Sequence, residues 1–391
     1  MIVRQFINWI RTAPAGERAE ATRALARAWL VSDLSLDDLE AAEGALLMLL
    51  DDRSPLVRQA MAEVFSRSTE APAAIIRALS TDQPSVALPV LEFSPLLIDA
   101  DLVDIVATGN SETQCAIARR VKLPAPVCAA IAEVGSAAAA LELIENPHAE
   151  LAPFSWDRIV ERHGHLAAIR ESMLVLEDLP AATRMALVAK LSDTLAQFVV
   201  ARNWLSAERA ERAVGEAMDR SIVVVATRSR DDDMQGLMRH LRLTGHLTTG
   251  LILRSLLSGN SELFHHALVE LTELPSARVA ALLHDGAGAS LNALLKRAGL
   301  PEATHPAFRA ALEAIREIGF VDSGDGVSGL RRRMVERVLT RCETDAEAAA
   351  PLLILLRRFA TESAREEASR FCDELLAEDA LDIYQPRSLA A

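Results

Sequence analysis

The chain has 391 residues, of which half are apolar, a quarter are charged and only 4% are aromatic. That length suffices for two or three domains or for one elongated repeat array, and either would bury a large core. The formal net charge of −14 repels nucleic acid and anionic membrane over most of the surface. With one tyrosine, platforms for stacking bases are scarce. A nucleic-acid partner is therefore not expected.

Cysteine usage and hydropathy define the expected compartment. The four cysteines are far apart and form no C-x-x-C pair, which argues against a structural zinc site and a disulfide framework; they are Cys115, Cys128, Cys342 and Cys372. A reduced, cytoplasmic setting follows. No uncharged apolar run approaches the ~20 residues of a spanning helix.

The N-terminal segment, residues 2–11, has the pattern of an amphipathic helix, with apolar residues on one side and Arg4 and Arg11 on the other. We expect it to cover the open end of a helical array, since a terminal repeat has an unpaired apolar face. Peripheral membrane contact or partner binding is the alternative. Two arginines are too few for strong attachment to anionic lipid.

Residues 50–65, LDDRSPLVRQAMAEVF, contain the sharpest helix signature. Asp52 or Ser54 is predicted to cap the helix, and Pro55 suits its first turn because no N–H donor is needed there. Val57 is predicted to face inward, with Arg58 beside it.

The D-x-x-P-x-V-R-x-A pattern of this segment resembles the second helix of a HEAT repeat. The resemblance implies a polar ladder between the aspartate and arginine of neighbouring repeats, with the valine packed between helices. A second copy at residues 81–91 has alanine where the arginine would stand, which predicts a broken ladder at Ala87; it retains Asp82, Pro84 and Val86.

A longer phrase occurs twice, as GNSETQCAIARRVKLP at residues 109–124 and GNSELFHHALVELTELP at residues 259–275. Each copy reads as a Gly-Asn turn, a capped helix of about three turns and a Leu-Pro stop. Repetition of one helical unit indicates a solenoid-like protein.

The general run of the chain also resembles a group of alphaproteobacterial proteins, domain-of-unknown-function family 2336. The resemblance lies in the composition, which is rich in alanine, arginine and leucine and typical of helices, and in the C-terminal segment LLRRFATESAREEASRF, residues 355–371. This resemblance implies HEAT-like helices and no established activity.

The predicted fold is all-α, a HEAT-like α-solenoid of antiparallel helix pairs with longer central helices and a C-terminal helical unit. The segment SIVVVA, residues 221–226, is β-branched but continues a helical run. The predicted domains are a helical array at residues 1–150, a central region at 151–320 and a C-terminal unit at 330–391. A glycine-rich linker at residues 321–329 precedes the last.

No catalytic residue, cofactor site or metal site is predicted. The pairs His163/His165 and His265/His266 lack the i, i+4 spacing that places two ligands on one helix face. The run Asp231–Asp233 is interpreted as the negatively charged start of a helix. DSGDG in the linker lacks the ligand pattern of a calcium loop.

One basic surface stands out against the acidic background. Arg333, Arg337 and Arg341 follow one ridge of a predicted helix whose inward stripe includes Met334 and Val338. The ridge is predicted either to be a solvated face paired with acids or to dock an acidic partner or phosphate.

The sequence therefore predicts a non-enzymatic protein-interaction scaffold or regulator that uses an extended helical-repeat surface. A binding module for a nucleotide or other anionic ligand at the arginine ridge is the first alternative. A HEAT-like nucleic-acid enzyme is the second, and acidity and scarce aromatics disfavour it.

Overall fold

The computed structural model describes residues 9–284, 288–318, 326–344 and 350–384. The secondary structure in those ranges consists of helices, which confirms the predicted all-α fold. The β pairing there is limited to one isolated bridge between Leu123 and Ala149. The helices are α1 (Ala15–Val31), α2 (Leu36–Leu49), α3 (Pro55–Phe65), α4 (Ala73–Ser80), α5 (Pro84–Phe93), α6 (Asp99–Thr108), α7 (Ser111–Ala118), α8 (Ala125–Val134), α9 (Ala137–Glu145), α10 (Pro153–His163), α11 (Ala167–Val175), α12 (Ala181–Ala201), α13 (Ala207–Arg228), α14 (Asp231–Leu243), α15 (Thr249–Leu257), α16 (Ser261–Thr272), α17 (Ser276–His284), α18 (Gly288–Arg297), α19 (His305–Ile318), α20 (Gly326–Thr344) and α21 (Ala350–Tyr384).

Contacts divide the chain into two compact units, with the division between Leu179 and Pro180. The boundary predicted near residue 150 therefore lies inside the first unit, and the boundary predicted at residues 321–329 lies inside the second. Residues 321–325 of that predicted linker lie outside the described residues, whereas 326–329 begin α20. The linker prediction is wrong for these four residues, because the glycines there are accommodated in a helix.

Helices of the first unit alternate between two layers. In one layer α1, α3, α5, α7, α9 and α11 pack in chain order, and in the other α6, α8 and α10 do the same. Most helices of the first unit thus contact a next-but-one neighbour as well as an adjacent helix, which is the packing of an α-solenoid. Apolar residues of α3 fill the space between layers, and Val57, Met61 and Phe65 are fully buried.

The predicted polar ladder is present at the start of the first layer. Arg58 of α3 donates from Nη2 to Asp82 Oδ1 at 2.9 Å, ahead of α5. One step earlier, Arg18 of α1 donates from Nη2 to Asp52 Oδ1 at 2.7 Å. Asp52 also accepts from the Ser54 N–H, so it orders the turn before α3. Neither Asp52 nor Ser54 caps a helix N–H with its side chain, which corrects the cap prediction.

The other repeat positions lie where the pattern places them. Pro55 and Pro84 are in the first turns of α3 and α5, where a missing N–H costs nothing. Val57 and Val86 are fully buried. Ala87 is fully buried too, at the α5 position that corresponds to Arg58 in α3, so the second copy supplies no ladder arginine.

A different recurring bond secures helix ends in both units. An arginine near the end of one helix donates to backbone carbonyls at the end of the helix two before it. Arg120 donates to Leu91 O and Ser94 O at 2.6 and 2.7 Å. The terminal carbonyls of a helix have no partner within it, so the arginine satisfies them. The equivalent donors are Arg162 to Ala132 O and Gly135 O, Arg297 to Thr272 O, and Arg316 to Leu283 O.

Both copies of the repeated phrase begin a helix as predicted. Asn110 caps α7 by accepting from the Thr113 N–H, and Asn260 caps α16 by accepting from the Leu263 N–H. The helices differ in length, because α7 has 8 residues and α16 has 12. Four of the five Leu-Pro pairs, at Pro124, Pro180, Pro275 and Pro301, lie between helices, whereas Pro89 of the fifth lies inside α5.

The second unit starts with a long hairpin of α12 and α13, and residues 221–226 are helical as expected. Its core includes the rings of Phe264 and Phe308, stacked with centroids 5.8 Å apart. The first half of α21 is anchored by buried Leu352, Leu356 and Phe359. No described helix is long and apolar enough to cross a membrane.

Candidate functional site

An exposed apolar surface lies at the end of the α12–α13 hairpin. We define the hairpin tip as residues 190–209. At the base of the hairpin, Met185 of α12 and Ile222 of α13 are buried in the core of the second unit. Within the tip the same two helices are largely exposed. Five large apolar residues there are 36–65% exposed, namely Leu191, Leu195, Phe198, Trp204 and Leu205.

The hairpin extends past its neighbours because its helices are longer. The helices α12 and α13 have 21 and 22 residues, whereas α14 and α15, which pack against them, have 13 and 9. At 1.5 Å per residue, an excess of about eight residues is about 12 Å of helix. The projecting half therefore has no described neighbour to bury its apolar side chains.

Spacing gathers these side chains on one side of the tip. Leu191, Leu195 and Phe198 stand at i, i+4 and i+7 and form one stripe along α12. Trp204, in the turn, meets the ring of Phe198 edge to face with centroids 5.6 Å apart. The guanidinium of Arg202 lies 5.0 Å from the centre of the same ring.

The turn that presents Trp204 has a defined geometry. Asn203 has φ of +57°, a left-handed conformation that asparagine tolerates better than most residues. Its N–H donates to Val200 O at 2.9 Å, and the Trp204 N–H donates to Val199 O at 3.0 Å. These two bonds close α12 as a Schellman motif. These hydrogen bonds fix the backbone of Trp204, and its indole is thereby presented at the end of the hairpin.

The tip has the composition of a binding surface. Tryptophan, phenylalanine and leucine supply a large apolar area, and arginine and the aromatics are the residue types enriched at interfaces. No histidine or cysteine lies in residues 190–209. The arrangement is that of an exposed apolar and aromatic surface edged by arginine.

The predicted arginine ridge lies on α20. Met334 and Val338 are buried as expected, whereas Arg333 and Arg337 are exposed and Arg341 is half-buried. Arg341 donates to Glu313 at 3.0 Å. Neighbouring Arg331 and Arg332 pair with carboxylates of α20 and α21, namely Glu366, Glu336 and Glu367. The ridge is therefore interleaved with acids, and docking of an anion there stays a prediction.

The histidines singled out in the sequence are separated into different settings. His163 contacts the Gly135 carbonyl at 3.3 Å, and burial lowers its pKa below the ordinary value. His265 bonds the Ser276 hydroxyl at 2.8 Å, and burial lowers its pKa as well. Residues 2–8 of the predicted N-terminal amphipathic helix lie outside the described residues.

Sequence reasoning predicted long helices at the hairpin but not an exposed surface there. The signal was available in part, because two helices of unusual length adjoin a turn that contains tryptophan. The periodicity of the sequence predicts an apolar stripe on the helix. It does not predict whether another helix covers that stripe.

A family model described as an uncharacterised protein conserved in bacteria (DUF2336) matches residues 86–348, a span that contains the hairpin tip. No curated protein and no solved structure matches the chain significantly.

Proposed function

The chain belongs to this uncharacterised bacterial family, and on that premise we propose that it is a non-enzymatic interaction scaffold or regulator that binds a protein partner through the hairpin tip. The first unit supplies a repeat array, and the second presents the binding residues. The reduced, cytoplasmic setting inferred from the cysteines belongs to the same proposal.

The observation that carries the proposal is the exposure of an aromatic pair on a structured support. Trp204 is 65% exposed and Phe198 is 46% exposed, yet both belong to a closed helical turn. Full burial of side chains of this size contributes about 1.5–3 kcal/mol each, so leaving them in water sacrifices stability. Aromatic residues held in this manner are typical of interface hot spots.

The chemistry of the tip defines the partner class. The apolar stripe of Leu191, Leu195 and Phe198 is about two helical turns long and fits an apolar groove of similar length on another protein. Arg202, at the edge of the aromatic pair, suits a carboxylate at the rim of that groove. The expected partner is thus a protein with an apolar groove and an acidic rim.

Affinity capture with the full-length protein tests the proposal. We expect the double variant Phe198→Asp/Trp204→Asp to lose its protein partner, because two carboxylates would be desolvated in an apolar interface. Both positions are exposed, so the variant should keep the helical circular dichroism and melting temperature of the parent.

A matched control uses exposed apolar residues of the first unit. Val31 and Val121 are 84% and 72% exposed, and Val31→Asp/Val121→Asp should capture the partner as the parent does. Equal loss in both double variants would trace the effect to added charge. Undiminished capture by the folded tip variant would refute the proposal.

A further inference from the structure

Three side chains with metal-ligating atoms converge in the second unit, outside the hairpin tip. Asp231 is the first residue of α14, and Glu262 and His266 lie in α16. One donor atom from each, two carboxylate oxygens and an imidazole nitrogen, lies within 4.8 Å of the other two. Two helices that pack against each other therefore bring three potential ligands to one point.

Helical spacing explains two of the three donors. Glu262 and His266 are separated by four residues, so both side chains lie on one face of α16. A search for paired histidines misses this arrangement, because the relevant pair is a glutamate and a histidine. The third donor, Asp231, comes from 31 positions earlier in the chain and cannot be inferred from local spacing.

The donors are available for a ligand. Among the described residues, no ion pair or hydrogen bond engages Asp231, Glu262 or His266. Both carboxylates lie in the first turn of a helix, where the dipole supplies the equivalent of about +0.5 charge. Two such ends offset about half of the two negative charges. A net charge of about −1 remains to attract a cation.

The histidine ligand has support from its neighbour. The rings of His265 and His266 meet edge to face with centroids 5.6 Å apart, and His265 is itself bonded to Ser276. The His266 ring therefore has a packed neighbour on one side, and that neighbour is itself held by a hydrogen bond.

We propose that Asp231, Glu262 and His266 bind a divalent transition metal of the Zn²⁺ class, with water in the open positions. Bonds of about 2.0–2.2 Å to a tetrahedral Zn²⁺ place neighbouring ligand atoms about 3.3–3.6 Å apart. The donors must therefore close by at most about 1.5 Å from the 4.8 Å limit, which exposed carboxylate side chains do by rotation. One imidazole with two carboxylates suits Zn²⁺ better than Ca²⁺, which takes six to eight oxygens.

Calorimetric titration of the full-length, chelator-stripped protein with ZnCl₂ tests the site. We expect one equivalent to bind and to raise the melting temperature, because the metal joins two helices of the folded state. His266→Asn and Asp231→Asn should each weaken binding at least about tenfold. Asp232→Asn, which removes an exposed carboxylate from the same helix turn, should leave affinity unchanged.

The remaining outcomes overturn the proposal. These are no binding of Zn²⁺, unchanged binding by the folded Asp231→Asn/His266→Asn double variant, equal weakening by Asp232→Asn, or Ca²⁺ bound as tightly as Zn²⁺. Circular dichroism of each variant establishes that it is folded, so loss of binding is not confused with loss of structure.

Discussion

Val57 lies between the layers of the first unit and has no exposed surface. Replacement with aspartate would bury an unpaired carboxylate, which should lower the free energy of unfolding by several kcal/mol, on the order of 3–5. Leu56, its neighbour on the same helix, is 54% exposed. Leu56→Asp is the matched control and should cost about 0.5 kcal/mol or less. Urea unfolding measures both, and equal stability of the two variants would disprove this packing of α3.

Asp82 provides a pH-dependent contribution to stability. The hydrogen bond from Arg58 outweighs burial and holds the pKa of Asp82 below its ordinary value. A carboxylate whose pKa is lowered in the folded state stabilises fully above the unfolded pKa of about 3.9. That contribution is lost as pH falls through the lower, folded pKa.

Asp82→Asn should therefore destabilise the protein by about 1–3 kcal/mol at neutral pH. The difference from the parent should shrink below about pH 4 and disappear in stronger acid. Unfolding measured from pH 7 to pH 2 checks this, with exposed Asp33→Asn as the control. A difference that is independent of pH would show that the ion pair does not contribute as stated.

Individual residues also show where sequence reasoning reaches its limit. The repeated phrase identified two asparagine caps correctly, yet its two glycines are required for unlike reasons. Gly259 has φ of +77°, whereas a Cβ on Gly109 would lie 2.5 Å from Ile105 O and 2.3 Å from Thr113 Oγ1. Identical letters therefore occupy different environments, and only the packed structure distinguishes them.

At the scale of elements, α21 is anchored by a buried ion pair. Arg254 of α15 is 8% exposed, donates to Glu362 at 2.9 Å and lies 4.4 Å from the centre of the Phe359 ring. Asp219 is 4.0 Å away, too far for a hydrogen bond to Arg254. Glu362 is thus the main partner of a buried guanidinium.

Glu362→Ala should lower the free energy of unfolding by roughly 3 kcal/mol, because it leaves that charge without its closest partner. Glu367 pairs with Arg332 in a more exposed setting, so Glu367→Ala should cost only about 0–1 kcal/mol. Chemical denaturation compares the two. Equal, small effects would indicate that α21 is held by apolar contacts alone.

Elements were predictable where the signal is local. The caps at Asn110 and Asn260 mark helix starts through hydrogen bonds within three residues. The arginine bonds to preceding helix ends span 25 or more positions, and no local pattern contains them. The exposure of α12 depends on the length of its neighbours, which is also a non-local property.

At the scale of the whole molecule, the all-α class followed from composition and 3.6-residue periodicity, and the alternating layers followed from repetition. The division at Leu179 and Pro180 did not, because Leu-Pro pairs also separate helices within each unit. Domain boundaries depend on contacts between distant segments. A Leu-Pro pair between two helices of one unit looks the same in the sequence as the pair at the boundary between units.

The central claim is that the hairpin tip contacts a partner protein, and site-specific photo-crosslinking in the native cell tests it most directly. A photoreactive phenylalanine analogue at Trp204 should give one crosslinked species, identified by mass spectrometry as another protein with an apolar groove. The same analogue at exposed Val121 should not give that species. Absence of a crosslink from position 204, crosslinks to the chain itself only, or the same product from both positions would contradict the account.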